Sequence, residues 1–268
     1  MQIPLFTQVF LSFLLLTTGL RLWLALRQMR HVAAHRDRVP ADFADRIEPA
    51  AHRKAADYTI ARNRLGLLDT SIDAALLLIF TVGGGLQWVS DQLQPHLHDA
   101  VWHGVALIFA VGVLSALIGL PLALYRTFVL EARFGFNQTT LATFIGDLLK
   151  QALLALILGV PLLWAVLWLM QQMGAQWWMY VSALWIGFNL LLLAIYPNFI
   201  APLFNKFNPL DDNPTRSRIE ALLARCGFAS NGLFVMDGSK RSSHGNAYFT
   251  GFGKTKRIVF FDTLLKQL

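Results

Sequence analysis

Two histidines near the start of the chain are the first residues whose type and spacing could bind a metal. His31 and His35 are four residues apart, which places two imidazoles on one face of a helix. A zinc protease also needs a glutamate directly after the first histidine, as general base, and that position is Val32 here. Arg30 and Arg36 would repel a cation. We therefore interpret this segment as a basic helix at a membrane surface.

A second polar group lies between two apolar runs of the chain. Each member carries a carboxylate or an imidazole that could bind a metal, and the members are His96, His98, Asp99 and His103. We interpret the group as a polar loop that caps a membrane span. A structural metal site is the alternative hypothesis.

The single cysteine and a glycine triplet are weaker candidates for a chemical role. Cys226 is the single cysteine, which excludes an intramolecular disulfide and a Cys-x-x-Cys metal site. It shares the apolar face of its predicted helix, so we expect a core cysteine. Three glycines at 83–85 are not followed by Lys-Ser or Lys-Thr, which excludes a phosphate loop. Their predicted role is close helix packing.

Two acidic residues are predicted near the end of the second span. Asp69 and Asp73 are four residues apart and share a helix face. Acidic groups at membrane depth are functional candidates by default. Arg62 and Arg64 are near enough to pair with them, which favours a structural role.

Composition identifies the environment that must position these groups. Of the 268 residues, 55% are apolar and only 15% are charged, against about 25% charged in an average soluble protein. One soluble core cannot bury that excess, so lipid is the expected solvent. The net charge of +7 comes with no nucleic-acid-binding motif. It therefore indicates loops beside anionic lipid rather than a nucleic-acid partner.

Five apolar stretches approach or exceed the roughly 20 residues needed to cross a bilayer. They are residues 3–26, 70–89, 101–125, 152–170 and 177–196. Gly159 and Pro161 are predicted to kink the fourth. The lysines and arginines outside the spans all fall in loops on one side of the membrane. This pattern predicts an external N-terminus and a cytoplasmic tail, with a bacterial cytoplasmic membrane as the expected location.

The tail changes to the pattern of a small α+β domain. Asn213 and Pro214 are predicted to begin a helix, and Gly227 to end it. Three strands are predicted at 233–236, 246–250 and 257–261, separated by turns at 237–238 and 251–253. Asp262-Thr263 is then predicted to cap another helix that begins at Leu264-Leu265, and Leu268 follows about one turn later. A one-turn helix is unstable alone, so we expect the chain to stop inside a domain.

The tail also carries a long motif. Residues 234–253 are Phe-Val-Met-Asp-Gly-Ser-Lys-Arg-Ser-Ser-His-Gly-Asn-Ala-Tyr-Phe-Thr-Gly-Phe-Gly, and residues 256–264 are Lys-Arg-Ile-Val-Phe-Phe-Asp-Thr-Leu. The sequence resembles the integral-membrane zinc metalloproteases of the type I CAAX prenyl endopeptidase family. The resemblance extends to residues 200–207, Ile-Ala-Pro-Leu-Phe-Asn-Lys-Phe, and to residues 125–137, which contain Tyr-Arg-Thr-Phe and Phe-Gly-Phe-Asn.

The resemblance implies a mainly α fold, a multi-pass membrane helical bundle followed by a partial α+β zincin-like cytoplasmic domain. Residues 1–200 would form the transmembrane domain and residues 201–268 the first part of the protease domain. In the family, a His-Glu-x-x-His zinc helix follows the stretch that matches 258–264. No His-Glu pair occurs in this sequence. Zinc is thus expected in the complete family enzyme, and this chain alone is expected to bind none and to be inactive.

The resemblance also implies which residues bind substrate. In the family, the strand that matches Asn246, Ala247, Tyr248 and Phe249 lies beside the zinc cleft and pairs with an extended peptide. An edge strand can hold a peptide in register through its backbone groups. His244 precedes the strand, either as a polar strand-end residue or as a substrate contact. The expected partners are therefore the lipid bilayer and a peptide or protein substrate.

Two hypotheses from other classes remain open. The chain could be a non-catalytic membrane scaffold that retains the family's N-terminal half. A transporter is a third possibility, but apart from Asn189 the spans supply few polar groups to line a path.

Overall fold

The computed structural model describes residues 4–212, 214–228, 230–251 and 256–266. Contacts between residues divide the chain into two compact units, Met1–Phe134 and Gly135–Leu268. Most of the described residues are helical, and a small sheet lies in the second unit. The prediction of a mainly α chain with a small α+β part is confirmed.

The first unit consists of helices. They are α1 (Leu5–Ala34), α2 (Pro49–Phe80), α3 (Gly85–Leu93) and α4 (Ala100–Tyr125), and α4 continues into a π-helical turn at Arg126–Glu131. The helices α1 and α2 pack against each other. Close to their junction, the Arg36 guanidinium donates two hydrogen bonds to the Asp57 carboxylate, at 2.6 and 2.8 Å.

Several helices are long and apolar enough to cross a bilayer. The four continuous ones are Leu5–Ala34, Ala100–Glu131, Leu141–Gln172 and Gly174–Phe204. At most 6% of each apolar window is buried inside the protein, so their apolar side chains face outward. Phe6, for example, is 81% exposed. Lipid is the solvent that accepts such surfaces, and the chain is a multi-pass membrane protein.

The second predicted span is bent rather than continuous. The helices α2 and α3 meet at 59° across a short break, and together they form a candidate fifth span. Gly83 and Gly84 lie in this break and Gly85 is the first residue of α3, so the triplet forms a turn and its predicted role in helix packing was wrong. Gly84 has φ +77°, a conformation that glycine adopts without strain. A Cβ at Gly83 would lie 2.7 Å from the carbonyl oxygen of Ile79, so the turn is too tight for a side chain.

The second unit begins with two long helical segments. The first comprises α5 (Leu141–Leu154), a π-helical turn at Ala155–Gly159, and α6 (Val160–Gln172). The second comprises α7 (Trp177–Ile195), a π-helical turn at Tyr196–Ile200, and α8 (Ala201–Phe204). Pro161 lies in the first turn of α6 and cannot donate a backbone hydrogen bond. The helix widens into the π turn directly before it, at the site of the predicted kink.

A four-stranded sheet follows. Its strands are β1 (Phe207–Pro209), β2 (Leu233–Met236), β3 (Ala247–Thr250) and β4 (Arg257–Phe261), in the spatial order β1-β2-β4-β3. The pair β2–β4 is parallel, and β1–β2 and β3–β4 are antiparallel. Val259 at the centre of β4 is completely buried.

Three strands were predicted, and β1 was missed. It ends in Pro209, which has no amide proton and argues against a central strand. Within the part of the chain that the structure describes, β1 pairs only with β2, and a proline is tolerated at such an edge. The sheet is therefore wider than the sequence indicated.

Two short helices accompany the sheet. The first is α9 (Pro214–Arg225), and it ends as predicted at Gly227, which has φ +63°. The amide of Phe228 donates to the carbonyl of Leu223 at 2.9 Å, which closes the helix end. The second is α10 (Asp262–Leu265). The predicted cap Asn213 and residues 252 and 253 of the predicted turn lie outside the described residues.

Candidate functional site

The strand β3 contains the residues predicted to hold a peptide. Ala247, Tyr248 and Phe249 lie within it, and Asn246 directly precedes it. The ladder with β4 reaches one residue further, because the amide of Phe261 donates to the carbonyl of Asn246 at 2.9 Å. Among the described strands, β3 pairs only with β4. Its other edge faces away from the sheet.

The side chains of β3 differ between the two faces of the sheet. Tyr248 is half-buried, with its ring 6.3 Å from that of Phe261 in an edge-to-face arrangement. Burial raises the pKa of the Tyr248 hydroxyl, and the Tyr196 phenol adds to the effect. On the opposite face Ala247 is exposed and Phe249 is 69% exposed. The rings of Phe249 and Phe228 meet in an edge-to-face arrangement, with their centroids 5.9 Å apart.

The segment that connects β2 to β3, residues 237–246, is fixed at many points. The Asp237 carboxylate accepts a hydrogen bond from the amide of Lys206 at 2.8 Å, which ties the start of the segment to the residue before β1. Gly238 is buried against Phe261 so closely that a Cβ there would lie 2.6 Å from a ring carbon. The segment therefore begins in a defined position.

Asp262 fixes the next part of the same segment. Its carboxylate accepts hydrogen bonds from the hydroxyl of Ser239, from the amide of Ser239 at 2.8 Å, and from the amide of Thr263 at 2.9 Å. Burial acts to raise the pKa of the Asp262 carboxyl, but the hydrogen bonds from Ser239 and Thr263 outweigh it, and the pKa is lowered. A charged Asp262 is therefore part of the fold.

Arg241 anchors the middle of the segment. Its guanidinium binds the Asp147 carboxylate of α5 in a bidentate pair, at 2.7 and 2.9 Å. It also donates to the carbonyl of Phe204 at 2.7 Å and to the side-chain oxygen of Asn205 at 2.5 Å. The carbonyl of Arg241 accepts hydrogen bonds from residues 138 and 139. The guanidinium of Arg241 is thus bound by two parts of the second unit, and its carbonyl by a third.

The end of the segment pairs with residues 135–139. Asn137 and Ser242 form an antiparallel bridge, and the amide of Ser243 donates to the carbonyl of Phe136 at 3.1 Å. His244 is exposed, with its ring stacked on Phe136 at 4.1 Å, and its carbonyl accepts a hydrogen bond from the Thr263 hydroxyl at 2.8 Å. The His244 ring therefore packs against an aromatic neighbour, three residues ahead of β3.

The other histidines do not gather around a metal. His31 lies in α1 and His35 just after it, with ring centroids 4.3 Å apart. In the outer loop, Asp99 caps α4 by accepting the amide of Trp102 at 2.9 Å, which confirms the predicted capping role. His103 lies 2.9 Å from the hydroxyl of Ser90. Within the described ranges, no group of three or more His, Cys, Asp or Glu side chains could hold a metal ion.

Two expectations about single residues were wrong. Asp69 pairs with Arg126, at 2.6 Å, instead of Arg62 or Arg64. Arg126 lies 57 residues further along the chain, so sequence proximity could not identify it. Cys226 is exposed rather than in a core, because the α9 face that it shares with Leu222 is uncovered, and Leu222 is itself 57% exposed.

Two family models match consecutive parts of the chain. Residues 28–206 match the family model described as CAAX prenyl protease N-terminal, five membrane helices, and residues 209–268 match that of peptidase family M48. The CAAX prenyl protease 1 homolog of Arabidopsis thaliana is 35% identical over 100% of this chain and 64% of its own length. The homolog of Oryza sativa subsp. japonica is 34% identical with the same coverage.

A solved structure shows the same architecture. The chain is similar to the crystal structure of S. mikatae Ste24p, with a TM-score of 0.85 and 33% sequence identity. The match covers 95% of this chain and 61% of that one. The chain therefore spans less than two thirds of the length of these relatives.

Proposed function

This chain belongs to the CAAX prenyl protease family, peptidase family M48, and from that premise we propose that it is the N-terminal part of a membrane-embedded zinc metalloendopeptidase. Within that enzyme, residues 1–200 form the transmembrane domain and residues 201–268 begin the protease domain. The part that this chain contributes to catalysis is to hold the peptide substrate in an extended conformation along β3.

The observation that carries the proposal is the direction of the backbone groups of β3. The antiparallel register pairs Tyr248 with Val259, and the bond from Phe261 to Asn246 identifies the hydrogen-bonded positions of this ladder. Such positions alternate along an antiparallel pair. The amide and carbonyl groups of Ala247 and Phe249 therefore point away from β4, toward the side where a further strand would add.

The side chains suit the same role. A peptide strand added beside β3 gains main-chain hydrogen bonds in register, and side-chain contacts determine specificity. Ala247 leaves room for a large substrate residue, whereas Phe249 offers an exposed aromatic ring. The anchored connection at 237–246 keeps the strand in one position, so little conformational entropy is lost when the peptide binds.

Zinc does not fit the residues present in this chain. The described residues contain no group of three or more ligand side chains, and the sequence has no His-Glu pair. We propose that the 268-residue chain alone binds no zinc and hydrolyses no peptide, and that its tail is cytoplasmic with its N-terminus outside.

A backbone-specific experiment tests the proposal. Two fluorescent peptides that end in a CAAX sequence, one prenylated and one not, are titrated onto the purified chain in detergent. Each is also made with N-methyl groups on alternate amides, in both registers. Strand addition is supported if methylation in one register abolishes binding and methylation in the other register leaves it unchanged.

Protein variants complete the test. Phe249→Pro removes an amide that faces away from β4 and should weaken binding about tenfold, by the loss of one main-chain hydrogen bond. Phe249→Leu keeps that amide and serves as the matched control. Equal binding of both methylation registers, or full binding by Phe249→Pro, would contradict the role of β3. Zinc-dependent cleavage of either peptide by this chain would overturn the claim of inactivity.

A further inference from the structure

A cleft of about 490 Å³ opens between α2 and the end of α4, within the first unit. Leu65 and Leu68 of α2 form one apolar wall, and Pro121 and Leu122 of α4 contribute to the other. The residues of α2 that line it are spaced by three or four positions, which is one continuous helix face. The cleft is therefore a groove along two adjacent helices.

Two cationic side chains also line this groove. Arg64 comes from α2, and Arg133 follows the π-helical turn after α4. Both are exposed. Among the residues that the structure describes, no carboxylate lies within 4.0 Å of either guanidinium.

The acidic side chains near these arginines are held by other partners. Glu131, two residues before Arg133, accepts a hydrogen bond from the Tyr58 hydroxyl at 2.7 Å. Asp57 is close enough to Arg133 for an electrostatic interaction, but its carboxylate is bound by Arg36 at 2.6 Å. Asp69 is bound by Arg126 at 2.6 Å. The cleft thus combines an apolar wall with two positive charges that are not neutralised by ion pairs.

This combination selects an amphiphile with a negative head group. Guanidinium groups bind phosphate through charge-assisted hydrogen bonds, and the leucines supply apolar surface for an acyl chain. Arg64 and Arg133 lie outside the predicted spans, on the same predicted side of the membrane, where head groups of anionic lipids are enriched. A free phosphate ion would leave the apolar wall unused.

We propose that the cleft binds an anionic phospholipid. The phosphate lies between Arg64 and Arg133. An acyl chain packs along Leu65, Leu68 and Leu122. The lipid fills the space between α2 and α4, which holds the two helices together at the membrane surface.

Binding is measured on the full 268-residue chain in a zwitterionic detergent. Dioctanoyl phosphatidylglycerol is titrated while native mass spectrometry counts bound lipid and the thermal unfolding midpoint is recorded. Dioctanoyl phosphatidylcholine and sodium phosphate are the comparison ligands. The expected result is one bound phosphatidylglycerol and a raised midpoint, with neither effect from the other two ligands.

Two charge variants locate the site. Arg64→Gln with Arg133→Gln should weaken phosphatidylglycerol binding about fivefold for each guanidinium removed. The matched control is Arg38→Gln with Arg46→Gln. Both residues are exposed, lie between α1 and α2, and do not line the cleft. Equal affinity in the two double variants would overturn the proposal, as would equal binding of phosphatidylcholine or phosphate.

A third variant keeps the test decisive if the charge variant fails to fold. Leu68→Trp narrows the cleft and keeps both arginines, and Leu68 is 56% exposed, so a larger side chain can be accommodated. Weakened phosphatidylglycerol binding by Leu68→Trp supports an acyl chain in the cleft. Binding as tight as in the unmodified chain contradicts it.

Discussion

Arg241 and Asp147 are joined by two parallel hydrogen bonds, from Nε to Oδ2 at 2.7 Å and from Nη2 to Oδ1 at 2.9 Å. The residues are 94 positions apart, and both side chains are mostly buried, at 24% and 16% exposed. The same guanidinium binds Phe204 and Asn205. One cation therefore connects a membrane helix, the residues before β1 and the segment that leads into β3.

Removing this cation should loosen the segment before the edge strand. Arg241→Gln leaves the Asp147 carboxylate without its bidentate partner, and a lost hydrogen bond to a charged group costs about 1.5–3 kcal/mol. We expect faster hydrogen exchange at the amides of Gln138 and Ser243, which belong to the pairing around Arg241. Lys240→Gln removes the adjacent exposed charge and is the control. Equal exchange in the two variants would show that Arg241 does not hold the segment.

A single methyl group at Gly238 should disturb the same region sterically. A Cβ there would lie 2.6 Å from Cδ2 of Phe261, closer than real contacts allow. Overpacking of this kind costs about 1–3 kcal/mol. Gly238→Ala should therefore lower the thermal unfolding midpoint of the purified chain. Gly146→Ala, where a Cβ meets nothing within 4 Å, should not lower it. An unchanged midpoint for Gly238→Ala would contradict close packing against Phe261.

The hydrogen-bonded carboxylate of Asp262 should make local stability depend on pH. Its pKa is lowered in the folded state, so its contribution is complete above the unfolded-state pKa of about 4. That contribution is lost as the pH falls through the lower folded-state pKa. Asp262→Asn should therefore destabilise the loop at pH 7, by about 1–2 kcal/mol, and much less at pH 2.

Hydrogen exchange at the amide of Ser239 measures this effect, because that amide donates to Asp262. Asp211→Asn changes an exposed carboxylate and should leave the exchange at both pH values unchanged. A loss of protection in Asp262→Asn that is the same at pH 7 and pH 2 would be inconsistent with a charged acceptor.

The local patterns of the sequence predicted much of this fold. Apolar length identified the spans, and Gly227 identified the end of α9, because both signals lie within a few residues of the element that they define. The strands at 233–236 and 257–261 were predicted with the bounds that the structure has. The predicted first residue of β3 differs from the observed one by one position, and that of α10 by two.

The remaining features depend on distant neighbours. Helical periodicity showed that Cys226 shares a face with Leu222, but not whether another element covers that face. Glycine at 83–85 is compatible with helix packing and with a tight turn, and only the path of the chain past Ile79 decides between them. Arg241 was part of the motif, yet its partner Asp147 lies in a helix that the motif does not include.

The single cysteine allows the orientation of the tail to be measured directly. Cys226 is exposed and follows α9, in the part of the chain predicted to be cytoplasmic. A membrane-impermeant maleimide added to intact spheroplasts should therefore leave it unlabelled, and permeabilisation should allow labelling. The positive-inside distribution of lysine and arginine is the physical reason for this expectation.

A second cysteine position on the opposite side completes the measurement. Gln94→Cys in a Cys226→Ser background places the thiol in the loop between α3 and α4, where Gln94 is exposed. This loop has no lysine or arginine, and it is predicted to be external, so intact spheroplasts should label it. Labelling of Cys226 but not of position 94 in intact cells would reverse the orientation. Labelling of both would require an even number of spans between them, because a thiol is reached from outside only on the outer face of the membrane.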